Sequence, residues 1–322
     1  MKTVKIIIAL LAITPMLTHA HNVIAPASLE HYSFKQVSEN IHVIHGSQTL
    51  PNVKTRGFMN NPAMITTTNG VIVIDPGSSK EIGMQLLDKI KKVTNKPVIA
   101  VFNTHLHGDH WLGNHGIRTI YPKIPIYAHQ RMIQRVNKGE GQEYIDLFLK
   151  MTKKATVGTR IVSPNIGLTG GETLNLDGMR LRIHHTGHAH TDSDIMIEVV
   201  ADKGLFFGDI VASKRVPNSD IPQDANFKGT INAIKTILNK NPATIYIPGH
   251  GVTGGREVPE ASLRFLTKLT ESVTRYYKQG LSDFEMKDQV IQDLSEFKDW
   301  NNFNEIGRVI SYLYQEVERD YF

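Results

Sequence analysis

Three imidazoles and one carboxylate fall within six residues of this chain, in the run Thr104-His105-Leu106-His107-Gly108-Asp109-His110. Imidazole nitrogen and carboxylate oxygen are what Zn²⁺ takes when no thiolate is on offer, and the chain has no cysteine. The apolar run Val98-Ile99-Ala100-Val101-Phe102 leads straight into the cluster. A strand ending there can turn His105 and His107, one residue apart, toward a single ion, with Asp109 and His110 facing a second position close by. The plainer alternative is a loop of exposed histidines, but a chance surface cluster rarely has this order of residue types, so the segment is read as metal-binding.

Three more stations follow apolar runs: Thr186-Gly187-His188 after residues 181–185, Gly208-Asp209 after 205–207, and Pro248-Gly249-His250-Gly251 after 244–247. In each, a glycine beside the polar residue lets the backbone turn sharply or come close to an ion. Taken singly each reads as a turn. Together, downstream of the first cluster, they read as the rest of one site.

The elements that must carry these residues follow from hydrophobic patterning. Residues 41–44 read as a strand, and 64–68 with 71–74 as a hairpin about Asn69-Gly70. Ser78 or Ser79 can cap a helix running to about Val93, with Ile82, Leu86, Leu87 and Ile90 on one face. Residues 97–102 are a buried strand, with a helix from 111 to 117 behind the histidine loop and a short strand over 124–128. Residues 130–155 read as helical. A second hairpin turns at Asp177-Gly178 within 172–185, and strands over 194–200 and 205–207 flank Asp202-Lys203-Gly204. A helix over 230–238, a strand over 244–247 and a helical tail from about 259 complete the pattern. Strand hairpins and strand–helix units thus occur twice. That order predicts an α/β fold of four layers, an αβ/βα sandwich with two mixed sheets and helices outside. No Pro/Gly-rich linker divides the chain, so residues 21–322 are read as a single domain with a helical C-terminal part.

The ordered set His105, His107, Asp109, His110, His188, Asp209, His250 resembles the metallo-β-lactamase superfamily over nearly the whole chain. The resemblance implies a dinuclear site. His105, His107 and His188 would hold the first metal, Asp109, His110 and His250 the second, and Asp209 would bridge them. Asp75 looks like the aspartate that supports the metal loop from behind in that family. The implied cofactors are two Zn²⁺ per chain, with iron or manganese as other metals the site could take. The implied chemistry is attack of a metal-bridging hydroxide on an ester, thioester, lactone or amide carbonyl, because two zinc ions lower the pKa of a shared water toward about 7. Asp109 would also orient the nucleophile, and the partner is a small-molecule substrate.

Local departures narrow the branch. The best-known antibiotic-hydrolysing branch has Cys at the place of Asp209 and a substrate-binding Lys three residues on. Here that later position is Ala212, followed by Lys214 and Arg215. The chain is therefore more similar to the general hydrolases that include glyoxalase II, and β-lactam hydrolysis is an alternative. The phrase from Gly187 to Asp194 is similar to exported metallo-hydrolases encoded near quinoprotein dehydrogenases. A mononuclear iron persulfide dioxygenase is the rival from another reaction class.

Other residues have plainer readings. His190 could touch substrate or be a surface histidine. Of His184 and His185, one would point inward. His115 and His129 read as structural, and Trp111 as core. Met59, Asn60, Asn61 and Met64 could form a flap over the site, while Asp192 and Asp194 would fix their loop through backbone contacts.

Composition sets the outer bounds. The 322 residues are 40% apolar and 21% charged, ordinary for a globular enzyme. Lys2 and Lys5, an apolar stretch over 6–17 and Thr18-His19-Ala20 read as a signal peptide over residues 1–20, cleaved near Ala20. A periplasmic or secreted protein is expected, with no membrane span in the mature chain. Removing those residues lowers the formal charge from +5 to +3. No Lys/Arg track is present, which argues against nucleic acid as a partner. The oligomeric state is not legible.

Overall fold

The structure, a computed structural model, describes residues 29–217 and 225–321. The expected signal peptide lies outside the described residues. Two sheets carry the fold. The first has seven strands in sequence order: β1 (Lys35–Gln36), β2 (Ile41–Val43), β3 (Ala63–Thr66), β4 (Val71–Ile74), β5 (Val98–Phe102), β6 (Ile126–His129) and β7 (Ile166–Leu168). It is antiparallel from β1 to β4 and parallel from β4 to β7. The second has five strands: β8 (Thr173–Leu176), β9 (Met179–His184), β10 (Met196–Val199), β11 (Gly204–Ala212) and β12 (Ile245–His250), in the order β12-β11-β10-β9-β8, with β11 and β12 parallel.

Strand alternation explains why the sheets stack. Ile72 and Ile74 of β4 turn inward and meet Leu181, Ile183, Ile197 and Phe206 of the second sheet. Val71 and Val73 turn outward, onto Ile82, Leu86 and Ile90 of helix α1 (Lys80–Val93). Ser79 caps α1, its hydroxyl accepting from the Ile82 amide at 3.3 Å. On the far side Leu205 and Phe207 turn outward, onto α6 (Phe227–Lys240), α7 (Glu257–Lys278), α8 (Asp283–Asp293) and α9 (Ile306–Tyr321). Helix, sheet, sheet, helix is the four-layer sandwich that the patterning predicts.

Several boundaries differ from expectation. The helix behind the histidine loop starts at Gly108, so Asp109 and His110 lie in α2 (Gly108–Trp111), and α3 (Asn114–Ile120) follows. Strands β11 and β12 do not stop at Gly208 and Gly249 but run on through Asp209 and His250, with register shifts at Gly208. The 130–155 segment is broken into α4 (Gln130–Arg135), a π turn (Val136–Glu140) and α5 (Gly141–Met151), with Gly139 at φ 124° allowing the kink. No helix of the described residues is long and apolar enough to cross a membrane.

Candidate metal centre

The strand ends of both sheets meet at one edge of the sandwich. There β5 feeds the loop with His105 and His107, α2 presents Asp109 and His110, β11 presents Asp209 and β12 presents His250. Two groups of potential ligands result, within each of which the donor atoms lie no more than 4.8 Å apart: His105, His107, His190 and Asp209, and beside them Asp109, His110 and His250. Asp209 reaches both. Its Oδ2 is 4.0 Å from His105 Nε2, 3.7 Å from His190 Nε2 and 3.1 Å from His250 Nε2, while Oδ1 is 3.2 Å from His110 Nε2. Asp109 Oδ2 is 3.3 Å from both His110 Nε2 and His250 Nε2.

Six of the seven expected residues are therefore brought together, and His188 is not. In its place the chain puts His190, whose Nε2 lies 2.9 Å from His107 Nδ1. The backbone of the loop explains the correction. The His188 carbonyl is pressed on the start of α6, where a Cβ on Gly229 would lie 1.9 Å from it. Six residues on, Asp194 ties the loop down by accepting from the Thr191 amide at 2.8 Å and its hydroxyl at 2.7 Å. That clamp fixes the residue just before Thr191 and aims its ring at the centre. The pairing of His190-Thr191 with Asp194 was the signal in the sequence that could have found it.

A support layer orients the rings. Asp75, at φ 49° just past β4, accepts from the Thr104 amide at 2.8 Å and the Thr104 hydroxyl at 2.7 Å, and His110 Nδ1 donates to it at 2.8 Å. With its proton spent on Asp75, the Thr104 hydroxyl can accept from His105 Nδ1 at 3.0 Å. His250 Nδ1 donates to the Met59 carbonyl at 2.8 Å. In all three rings the Nδ1 proton is held from behind, which leaves Nε2 as a lone-pair donor facing the centre. Gly249 is required for a steric reason: a Cβ there would sit 1.9 Å from Asp209 Oδ1.

The donor set fits a pair of divalent cations. His105 Nε2, His110 Nε2, Asp109 Oδ2 and Asp209 Oδ1 are buried and make no hydrogen bond among the described residues, a costly state for polar atoms that no cation satisfies. The electrostatics agree. Burial would raise the Asp209 carboxyl, yet His250 and His110 hold it well below the usual carboxylate range. Burial would lower His110, but Asp209, Asp109 and Asp75 push it well above its ordinary value. Burial, helped by His110, keeps His105 well below. The carboxylates thus demand positive charge in their midst, and the all-nitrogen, all-oxygen set suits zinc.

A cavity of about 70 Å³ opens over the centre, with Tyr144, Phe148 and Met151 of α5 on one side and Met59 and Arg215 on the other. The 130–155 segment therefore walls the site. Residues 57–65 are buried throughout and do not form a flap; only Met59 of the four expected residues lines the cavity. His115 accepts from the Arg160 amide at 3.0 Å and stands outside both groups. His184 and His185 are both half-buried and both bonded, to Glu198 at 2.9 Å and to the Asp194 carbonyl at 2.7 Å. Trp111 is fully buried and donates to the Leu106 carbonyl at 2.6 Å.

This fold and this site belong to one family. The metallo-beta-lactamase superfamily model matches residues 55–250, and the chain is a member of that family. A curated relative, metallo-beta-lactamase IND-1 of Chryseobacterium indologenes, is 27% identical over 240 residues, which is 72% of this chain and 87% of the relative. Hydroxyacylglutathione hydrolase of Francisella tularensis subsp. novicida is 24% identical over 258 residues, 77% of this chain and 85% of that protein. The solved structure of a metallo-beta-lactamase from Pontibacter korlensis matches with a TM-score of 0.58 at 21% identity, over 73% of this chain and 99% of its own, a likeness of fold. The chain is accordingly a metallo-hydrolase with His/Asp metal-binding groups.

Proposed function

We propose that this protein is an exported hydrolase that uses two zinc ions to cleave an ester, thioester, lactone or amide of a small molecule. The observation that carries the reading is the reach of the Asp209 carboxylate to ligands of both groups, 3.7 Å to His190 on one side and 3.1 and 3.2 Å to His250 and His110 on the other. His105, His107 and His190 would hold one ion, Asp109, His110 and His250 the other, and Asp209 would bridge them. Zinc bound there supplies Lewis acidity and a water acidified to near neutral pH.

The chain's own residues do the rest. Asp109 orients the attacking water through its otherwise unbonded Oδ2. Asp75 and Thr104 keep His105 and His110 in place. Tyr144, Phe148 and Met151 cover the cavity and thin out competing solvent. The names of the two relatives span an amide and a thioester substrate, and the missing lysine at Ala212 leans away from β-lactams. A bridging carboxylate also favours two ions over the single iron of a dioxygenase. The test is turnover of a panel of esters, thioesters, lactones and β-lactams by zinc-loaded protein. Hydrolysis of an acyl substrate supports the reading; oxygen uptake on a persulfide with no hydrolysis overturns it. Export is tested by the N-terminal sequence of protein from the native host, expected to begin at His21.

A further inference from the structure

The cavity over the metal centre continues past it. A second cavity of about 40 Å³ shares His190, Asp209, Ala212 and Arg215 with the first and runs toward the C-terminal helices. Its wall is made by Phe227 and Thr230 of α6, Ser262, Phe265 and Leu266 of α7, and Trp300. The two hydroxyls on that wall are already spent: Thr230 donates to the Asn226 carbonyl at 2.9 Å and Ser262 to the Ala212 carbonyl at 3.0 Å. To a ligand this wall therefore offers no hydroxyl donor, and the aromatic and aliphatic groups of Phe227, Phe265, Leu266 and Trp300 make it mainly apolar. It is also braced, because Trp300 stacks on Phe265 with centroids 5.1 Å apart and Phe297 meets both rings edge-on.

Ser262, Phe265, Leu266 and Trp300 lie beyond residue 250, where the match to the family model ends. The same segment is pinned to the site. The Asn301 amide donates to the Lys214 carbonyl at 2.9 Å and the Val216 amide to the Asn301 carbonyl at 2.9 Å, on either side of Arg215. The C-terminal helices are thus not a remote appendage but one side of the active-site mouth.

We propose that this second cavity is a subsite for a short apolar group of the substrate, of about three to five carbons, next to the bond that is cleaved. The proposal rests on the hydrolase reading above. The size follows from the volume: a water needs about 10–15 Å³ measured this way, so 40 Å³ admits roughly three water-sized groups. A longer chain would run into Phe265 and Trp300.

The experiment uses the full-length zinc-loaded protein and two homologous series, straight-chain carboxylic acids from acetate to octanoate for calorimetric binding and the matching p-nitrophenyl esters for turnover. Acid affinity is expected to rise about fourfold per methylene up to four or five carbons and then to stop rising. Trp300→Ala should move that break by two or more carbons toward longer chains, and Thr230→Leu should move it toward shorter ones, so two variants guard against one that folds poorly. An acid series with no length dependence, no binding, or the same break in both variants overturns the subsite. If acids behave as expected while no ester is cleaved, the subsite stands and ester hydrolysis fails. If esters are cleaved at rates indifferent to length, hydrolysis stands and the subsite falls.

Discussion

Removing one histidine or the other distinguishes the site seen here from the one that the sequence resemblance implied. His190→Ala removes a ring whose Nε2 lies 3.7 Å from Asp209 Oδ2 and 2.9 Å from His107 Nδ1; His188→Ala removes a ring outside both donor groups. Even partners behind the ligands change metal affinity by about 10–100-fold, so loss of a direct ligand should cost at least about 100-fold. At fixed free zinc that lowers zinc-linked stabilisation by about 2.7 kcal/mol. For a chain of this size it corresponds to a fall in Tm of roughly 4 °C. Thermal unfolding at buffered zinc, with and without chelator, reads this directly. The His190 variant should lose most of the zinc-dependent Tm increment and its activity, and the His188 variant should keep both. A His188 variant that loses the increment while the His190 variant retains it would refute the assignment.

Other consequences follow from the same geometry. Asp75→Ala releases His110 Nδ1 and the Thr104 hydroxyl at once, so zinc affinity should drop about 10–100-fold, measured by competition with a chromophoric chelator. Gly249→Ala places a methyl group where Asp209 Oδ1 sits; hydrolysis should fall at least about 100-fold while circular dichroism keeps the native signature, and a fully active variant would contradict the bridging geometry. His129 is held down to about 4 by burial and by the neighbouring His185. Its Nδ1 accepts from the Arg131 amide at 3.3 Å and its ring stacks on His185 with centroids 4.2 Å apart. A folded-state pKa below the unfolded 6.5 means that the unfolded chain binds the extra proton. The stabilisation is then complete above about pH 6.5 and is lost as pH falls toward about 4. Urea unfolding across that range should show a smaller loss in His129→Asn, which keeps the capping acceptor, than in the wild type; parallel losses would count against it.

The sandwich was legible because its central strands are continuous apolar runs. Ile72 and Ile74 point one way and Val71 and Val73 the other, and both sets are apolar, as a sheet covered on both faces requires. Six of the residues that converge on the centre were legible because metal chemistry restricts residue type more tightly than packing does. The choice between His188 and His190 was not, because it depends on how a coil segment is clamped by Thr191 and Asp194, and coil has no period to read. Gly208 and Gly249 were misread as strand ends. Glycine signals a turn in sequence, whereas here it lets neighbouring backbone and the Asp209 carboxylate approach within an unbroken strand. The edge strands β1 and β7 are two and three residues long, too short for alternation to register. The wall that Phe265 and Trp300 build beside the site is a contact between segments far apart in the chain, and no local pattern announces it.

The central claim is a two-ion site bridged by Asp209, and metal stoichiometry tests it most directly. Apo protein titrated with zinc, and scored by mass-spectrometric metal analysis after desalting, should bind two equivalents per chain, whereas Asp209→Ala should retain no more than one. One equivalent in the wild type, or two undiminished in the Asp209 variant, would contradict the bridged centre.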